Sequence, residues 1–300
     1  MNGKIRTDLA LEAEALWREN AAETANLPGV RAAKERRGHF SVTTVEVLDA
    51  EGEAALGKPR GKYITVELDA LIHREENAFA DACALLAEQL CSFPALRADG
   101  CFLVAGLGNR GITPDAVGPD AVDYVMVTRH LTERMPEEFG AFRPVSAVCS
   151  GVLGTTGIES SAMVRAVAEK VHPVAVVAVD ALASRSPDRL CRTVQISDTG
   201  IVPGSGVGNA RMALNSDSLG IPVIAVGAPT GVDAATLAID LAAKSGAALN
   251  PSAFGETGDM IVTPRDIDKN VRDIAKLIGY SLNLAFHRGL RISDIDMFLS

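Results

Sequence analysis

The sequence predicts an α/β fold: a twisted, mostly parallel sheet with helices on both faces, plus an N-terminal β extension. Three observations carry this expectation. From residue 100 onward, short apolar runs alternate with amphipathic helical stretches, the pattern of successive strand–helix units. One run, residues 173–179 (PVAVVAV), is apolar throughout, as in a strand covered on both faces. Aromatic residues make up only 4% of a chain that is 47% hydrophobic, so the core is built from small aliphatic side chains, which suits tightly packed layers better than a β-sandwich.

Residues 1–25 read as a short lead and a helix, with Thr7 and Asp8 capping it and Leu9, Leu11, Ala13 and Leu16 at apolar positions. Residues 26–38 read as a solvated loop around the charged run Lys34-Glu35-Arg36-Arg37. Residues 41–48 (SVTTVEVL) and 63–71 alternate and are rich in β-branched side chains, so they read as a hairpin or an adjacent pair of strands. The segment between them, 51–62, is turn-rich, and 75–90 is an amphipathic helix.

The centre of the chain is 101–129. Residues 101–105 read as a buried strand, and Gly106-Leu107-Gly108-Asn109 breaks it with a turn that larger residues cannot follow. Thr113-Pro114-Asp115 restarts the chain as a helix, with Thr113 as N-cap, Pro114 at the first helical position and Asp115 in the first turn. His130 then falls near the C-terminal end of that helix. Beyond it come a strand at 144–149, a glycine-rich turn at 151–157, a helix at 158–171 and the apolar strand 173–179, which ends in Asp180. A short strand at 193–196 leads into a long loop, 197–209 (SDTGIVPGSGVGN). A buried strand at 222–226, a helix at 233–245, a loop at 247–258 and a last long helix from Thr263-Pro264 to about His287 complete the chain. No internal repeat or low-complexity linker interrupts it, so 9–300 reads as one domain, with 9–100 as extension and 101–300 as core.

A formal charge of −9 argues against direct nucleic-acid binding and favours basic partners. The five cysteines, Cys83, Cys91, Cys101, Cys149 and Cys191, include no CxxC pair and lie mostly in apolar runs, which reads as buried reduced thiols in a cytoplasmic protein. No stretch is long and apolar enough to span a bilayer, and the N-terminus has no apolar segment of an export signal.

Two carboxylates stand out. Asp115 and Asp180 each follow a buried strand, so both belong at one edge of the sheet, and neighbouring strands would let them converge. Paired carboxylates in a partly dry pocket do not both ionise, and one acid and one base around a water can hydrolyse an amide. The same pair could hold a divalent metal, and Asp115 reads equally well as a plain helix-terminus acid. Asp198, in the glycine-rich loop, reads first as a turn former. GLGN and GSGVGN lack full GxGxxG spacing and a following P-loop lysine, so they read as turns that let a substrate backbone approach closely. The candidate substrate contacts are Gly108, Asn109, Asp198, Ser205, Gly206 and Asn209. No HExxH, Cys/His metal spacing or G-x-S-x-G elbow occurs, which counts against a zinc, serine or cysteine hydrolase. Two carboxylates without a histidine motif are a poor zinc site, so no metal and no cofactor are expected.

The chain resembles the germination protease family of bacterial spores. The matching segments are RTDLALEA (6–13), GLGN (106–109), TPDAVGPDAVD (113–123), TRHL (128–131), FRPVSAV (142–148) and GTTGIES (154–160). VDALASR (179–185), QISDTGIVPGSGVGN (195–209), LGIPVIAVGAPT (219–230) and VTP (262–264) continue the match nearly end to end and in order. The resemblance implies an atypical aspartic-type endopeptidase that initiates degradation of small acid-soluble spore proteins during germination, in the spore core. It implies a zymogen that processes itself, a homotetramer, and catalytic roles for Asp115 and Asp180. It also implies a fold like that of the hydrogenase-maturation endopeptidases, whose acidic metal-binding positions match the same two aspartates. The RTDLA segment resembles the substrates' cleavage sequence, which places a cut between Asp8 and Leu9 and makes 1–8 a candidate propeptide. As an N-cap, Asp8 would make fraying of this segment cost about 1 kcal/mol. Asp115, favoured as an anion by the helix terminus, would be the base and Asp180 the acid. The lead before Asp8 is shorter than in the Bacillus enzymes, their insertion before the last helix is reduced to 247–258, and Ser150 stands where Pro is usual. A metal-dependent maturation-type peptidase using the same aspartates, or a non-catalytic peptide- or metal-binding module, are the alternative readings.

Overall fold

The middle of the molecule is built where small and β-branched apolar residues follow one another without a polar break, because such strands can be covered on both faces. A computed structural model describes residues 5–20, 27–205, 211–247 and 260–300. Its strands are β1 (Val30–Arg37), β2 (Phe40–Val47), β3 (Gly61–Glu67), β4 (Phe102–Leu107), β5 (Val145–Gly151), β6 (Ala175–Ala183), β7 (Thr193–Ser197), β8 (Val223–Asp233) and β9 (Ile261–Val262). All but β9 lie side by side in the order β1-β2-β3-β7-β8-β6-β4-β5, and β9 pairs with the end of β8. The pairs β5–β4, β4–β6 and β6–β8 are parallel, so these strands open at one common edge. From β8 outward the sheet continues antiparallel through β7, β3, β2 and β1. The N-terminal strands thus extend the same sheet.

Helices cover both faces. On one, the helices Ala78–Cys91, Val117–Val122 and Ile267–Phe286 bury a continuous core with Phe102, Val104, Val177 and Val179. Phe102 stacks on Phe286 at 5.0 Å between ring centroids. Asn283, fully buried on the long helix, accepts from the Met126 N–H and donates to the Tyr124 carbonyl, so its amide costs nothing unpaired. On the other face, the helix Ser160–Val171 packs Val164 and Ala168 against Leu103, Ala105, Val176 and Ala178. The helix Ala10–Asn20 covers β2 and β3 with Ala10 and Leu11. Glu12 on this helix is buried and accepts from the Arg185 and Ser186 N–H groups, which ties the helix to the turn after β6.

Several local expectations are corrected. Residues 30–37 form β1 within the segment read as a solvated loop. Its side chains are exposed almost throughout, so no alternation marks it, and pairing with β2 across the Gly38-His39 turn makes it a strand. Within the turn-rich stretch lies a helix, Ala50–Leu56, where Asp49 accepts from the Glu51 and Gly52 N–H groups and Gly57 closes the end at φ +62°. β6 runs past Val179 to Ala183, placing Asp180 inside the strand. The helix after the central turn begins at Val117, with Ala116 at its N-cap. Thr113-Pro114-Asp115 is a separate 3-10 turn, so Asp115 precedes the helix rather than sitting in its first turn. That helix ends at Val122, and His130 lies in another, Arg129–Arg134. The cysteines are unpaired, but only Cys83 and Cys191 are buried; Cys149 is exposed. The loop read at 247–258 lies, apart from Ala247, outside the described residues.

Candidate active site

β4 and β6 are adjacent and parallel, with Gly106 opposite Val179. The position after Val179 is Asp180, one step beyond that pairing and opposite Gly227 of β8. The chain leaving β4 turns at Gly108, with φ +111°, and comes back so that the Asn109 N–H donates to both the Asp115 carboxylate, at 2.8 Å, and its carbonyl, at 3.0 Å. A Cβ on Gly108 would stand 2.1 Å from the Asp115 carbonyl oxygen, so only glycine permits this return. The Asn109 side chain accepts from the Gly111 N–H, which fixes the turn. On the third strand, the Thr230 hydroxyl donates to the Pro114 carbonyl at 2.6 Å and ties the turn to β8.

These elements close a cavity of about 800 Å³ at the C-terminal ends of β4, β5, β6 and β8. Its walls include Gly108, Asn109, Asp115, Asp180, Thr230, Gly231 and, from the N-terminal segment, Asp8. Asp180 is 4% exposed. Burial drives its carboxyl well above the usual carboxylate range, the Asp115 charge adds to this and Asp8 adds less, against one hydrogen bond from the Ala181 N–H. Asp115 is half-buried, and burial raises it to about 6 against the opposing Asn109 N–H. The arrangement therefore holds one carboxyl that releases its proton near neutrality and a deeper one that retains it.

Of the other sequence candidates, Ser205 lies beside Asp8, to whose carboxylate its hydroxyl donates at 2.8 Å. Asp198 is elsewhere: its carboxylate accepts from the Lys62 N–H and clips β3 to the end of β7. Gly206 and Asn209 lie outside the described residues. Asp8 is no helix cap. Its N–H and carboxylate pair with the Ala183 carbonyl and N–H, while the Thr7 hydroxyl accepts from Leu9. Sequence reasoning did not single out Thr230, Arg211, Glu159 or residues 152–155, which also line the cavity. The available signal was topological, since each lies at the C-terminal end of a strand of the parallel block, follows one, or enters from the loop after β7.

Among the described residues, no group of three His, Cys, Asp or Glu side chains is placed to hold a metal, and the carboxylate pair alone is a poor donor set for zinc.

A family model described as germination protease matches residues 8–243. The chain is 40% identical to a germination protease of Caldanaerobacter subterraneus subsp. tengcongensis, over 98% of each chain. It is 40% identical to one of Clostridium tetani, over 99% of each. Among solved structures, a [NiFe] hydrogenase maturation protease, HycI, from Thermococcus kodakarensis aligns with 65% of this chain and 98% of its own, at 17% identity and a TM-score of 0.37.

Proposed function

The chain belongs to the germination protease family, and on that premise we propose that Asp115 and Asp180 are its catalytic pair, sharing one water in an endopeptidase reaction. The observation that supports this reading is the pair itself: a carboxyl on β6 and one on the turn that follows the neighbouring β4 line one cavity, and burial raises both, Asp180 well above the usual range and Asp115 to about 6. Asp115, ionised first, takes a proton from the water as its oxygen bonds to the scissile carbonyl carbon. Asp180, still protonated, hydrogen-bonds the carbonyl oxygen as negative charge develops there. Collapse of the tetrahedral intermediate breaks the C–N bond, and the leaving nitrogen receives a proton from the pair. No step requires a metal, and elemental analysis of active protein is expected to find none in stoichiometric amount.

The substrates in this reading are small acid-soluble spore proteins, degraded in the spore core by a homotetramer. No helix among the described residues is long and apolar enough to cross a membrane. Incubation with a purified small acid-soluble spore protein, followed by mass spectrometry, is expected to give a few discrete fragments. Intact substrate after prolonged incubation with folded protein that already begins at Leu9 would refute the reading.

The pH dependence follows from the two carboxyls. Activity requires Asp115 ionised, so it is expected to rise with pH through about 6, and to fall where Asp180 loses its proton. A profile of kcat/KM against pH tests this, and a flat profile across that range would count against the pair.

Self-processing is proposed at Asp8–Leu9. The segment is held more firmly than a capped helix end, since Leu9 and Ala10 are fully buried and Asp8 is bonded through backbone and side chain. Release therefore costs more than the roughly 1 kcal/mol of a lost cap. Such cost would make processing slow and condition-dependent. Mild acidification, to near pH 6 where part of Asp115 is still ionised, is expected to favour the cut by relieving repulsion between the acidic segment and the pair, so N-terminal sequencing should show a new terminus at Leu9 that is absent from the Asp115→Asn variant. An unchanged terminus in protein that already digests substrate would refute the zymogen reading.

A further inference from the structure

The three strands that frame the acid pair lie in the order β8-β6-β4. The middle one carries Asp180, and the turn that leaves β4 carries Asp115. The hydrogen bond from the Thr230 hydroxyl to the Pro114 carbonyl therefore joins the two outer members and passes across the end of β6. Pro114 immediately precedes Asp115, so the bond grips the turn one peptide away from the carboxyl it presents. Thr230, Pro114, Asp115 and Asp180 all line the same cavity.

The backbone of β8 is irregular at this contact and nowhere else along β6. Pro229 stands opposite Leu182, but Gly231 stands opposite Ala183, which leaves Thr230 as one extra residue in β8. Such a bulge is rare in a parallel pair; it bends its strand and sets the angle of the extra side chain. Alternation supplies the direction. Ile224, Val226 and Ala228 point into the same core layer as Ala116 and Val117, which follow the Asp115 turn, and Thr230 continues that series. Thr230 is 3% exposed, so its hydroxyl is costly unless bonded. A valine would fill the same space with no hydroxyl to satisfy, so packing alone does not call for threonine.

The carboxyls register how far apart they are held. The Asp115 charge helps to keep the Asp180 carboxyl protonated, after burial and ahead of Asp8, and that repulsion weakens with distance. The other charged residues lining the cavity, Asp8, Glu159 and Arg211, come from the N-terminal segment, the start of the helix Ser160–Val171 and the loop after β7.

We propose that Thr230 is a positioning residue of the acid pair: by bracing the Pro114 carbonyl across β6, it fixes the separation of Asp115 from Asp180. This deepens the peptidase reading and rests on it for the rate effects, but the effect on the carboxyls is read without substrate and can fail separately.

Infrared difference titration of the carboxyl band in substrate-free protein follows the proton on Asp180, assigned by its disappearance in Asp180→Asn. Asp115→Asn is expected to move that titration to lower pH, because a negative neighbour is gone. Thr230→Val is expected to move it the same way by a smaller amount, and Thr230→Ser, which keeps the donor, to leave it near wild type. In the peptidase assay, Thr230→Val is expected to lower kcat about tenfold or more with KM within about twofold, and to bring the alkaline fall of kcat/KM to lower pH. Thr230→Ser is expected to stay within about threefold of wild type. Where unfolding curves show that Thr230→Val does not fold, Thr230→Ala removes the hydroxyl in its place. An Asp180 titration unmoved by loss of the hydroxyl, equal effects of valine and serine, or a loss carried by KM alone would overturn the inference. Titrations that behave as expected in a protein that hydrolyses no substrate would count against the peptidase reading and leave the brace standing.

Discussion

Asp115→Asn and Asp180→Asn are each expected to reduce peptide release by about 10³-fold or more, with thermal unfolding midpoints at or above wild type at neutral pH. An asparagine at 115 can still accept from the Asn109 N–H but cannot take a proton from water. At 180 it can hydrogen-bond a carbonyl oxygen but cannot give up a proton to the leaving nitrogen. The stability side follows from linkage. Both carboxyls have folded pKa values raised above the unfolded value, so the folded state binds more protons than the unfolded chain above the usual 3.8. Stability contributed by these groups is therefore fully present below that value and is lost as pH rises, through about 6 for Asp115 and higher for Asp180. Asparagine abolishes that loss, so each variant should show a flatter dependence of stability on pH above about 4. Loss of activity accompanied by a collapsed midpoint would show that the carboxyls hold the fold instead. Retention of near-full activity in either variant would remove the pair.

Gly108→Ala is expected to destabilise the protein by about 3 kcal/mol and to lower kcat/KM by about 10²-fold. The backbone at this position has φ +111°, a region that alanine enters only at considerable cost. The new methyl would also meet the Asp115 carbonyl oxygen at 2.1 Å, so the turn must open. Opening it moves Asp115 away from the Asn109 N–H that positions its carboxylate. As a control, Gly157→Ala shares a positive φ, +71°, but a Cβ there meets nothing within 4 Å and the position does not line the acid cavity. It should cost about 1 kcal/mol and leave kcat/KM near wild type. Equal activity losses in the two glycine variants would show that backbone strain alone, not displacement of Asp115, is being measured.

How much of this was legible in the chain differs from element to element. The runs that become β4, β6 and β8 are visible because strands covered on both faces must be apolar at every position. The helices Ala78–Cys91 and Ser160–Val171 show through their one-sided periodicity. β1 does not show, since VRAAKERR is exposed along nearly its whole length and only its hydrogen bonds to β2 make it a strand. The helix Ala50–Leu56 depends on a cap from Asp49 and a closing Gly57, signals too short to outweigh the turn-forming residues around it. At the site, Asp115 and Asp180 were visible as acids next to buried strands. Thr230, Arg211 and Glu159 were not, because nothing in their local sequence ties them to those acids.

By itself, then, the sequence determined the α/β class, a glycine turn after the central strand, the two candidate carboxylates and, through motifs running the length of the chain, the family. The tertiary structure alone decided that β4 and β6 are neighbours, that Asp180 is buried deeper than Asp115, and that Asp8 lines the same cavity as both rather than capping a helix. The division has a physical cause. Dihedral preferences and apolar periodicity act over a few residues and are written locally. Strand order, desolvation and the electrostatic coupling of carboxyls arise between segments far apart in the chain and exist only once the sheet has brought them together.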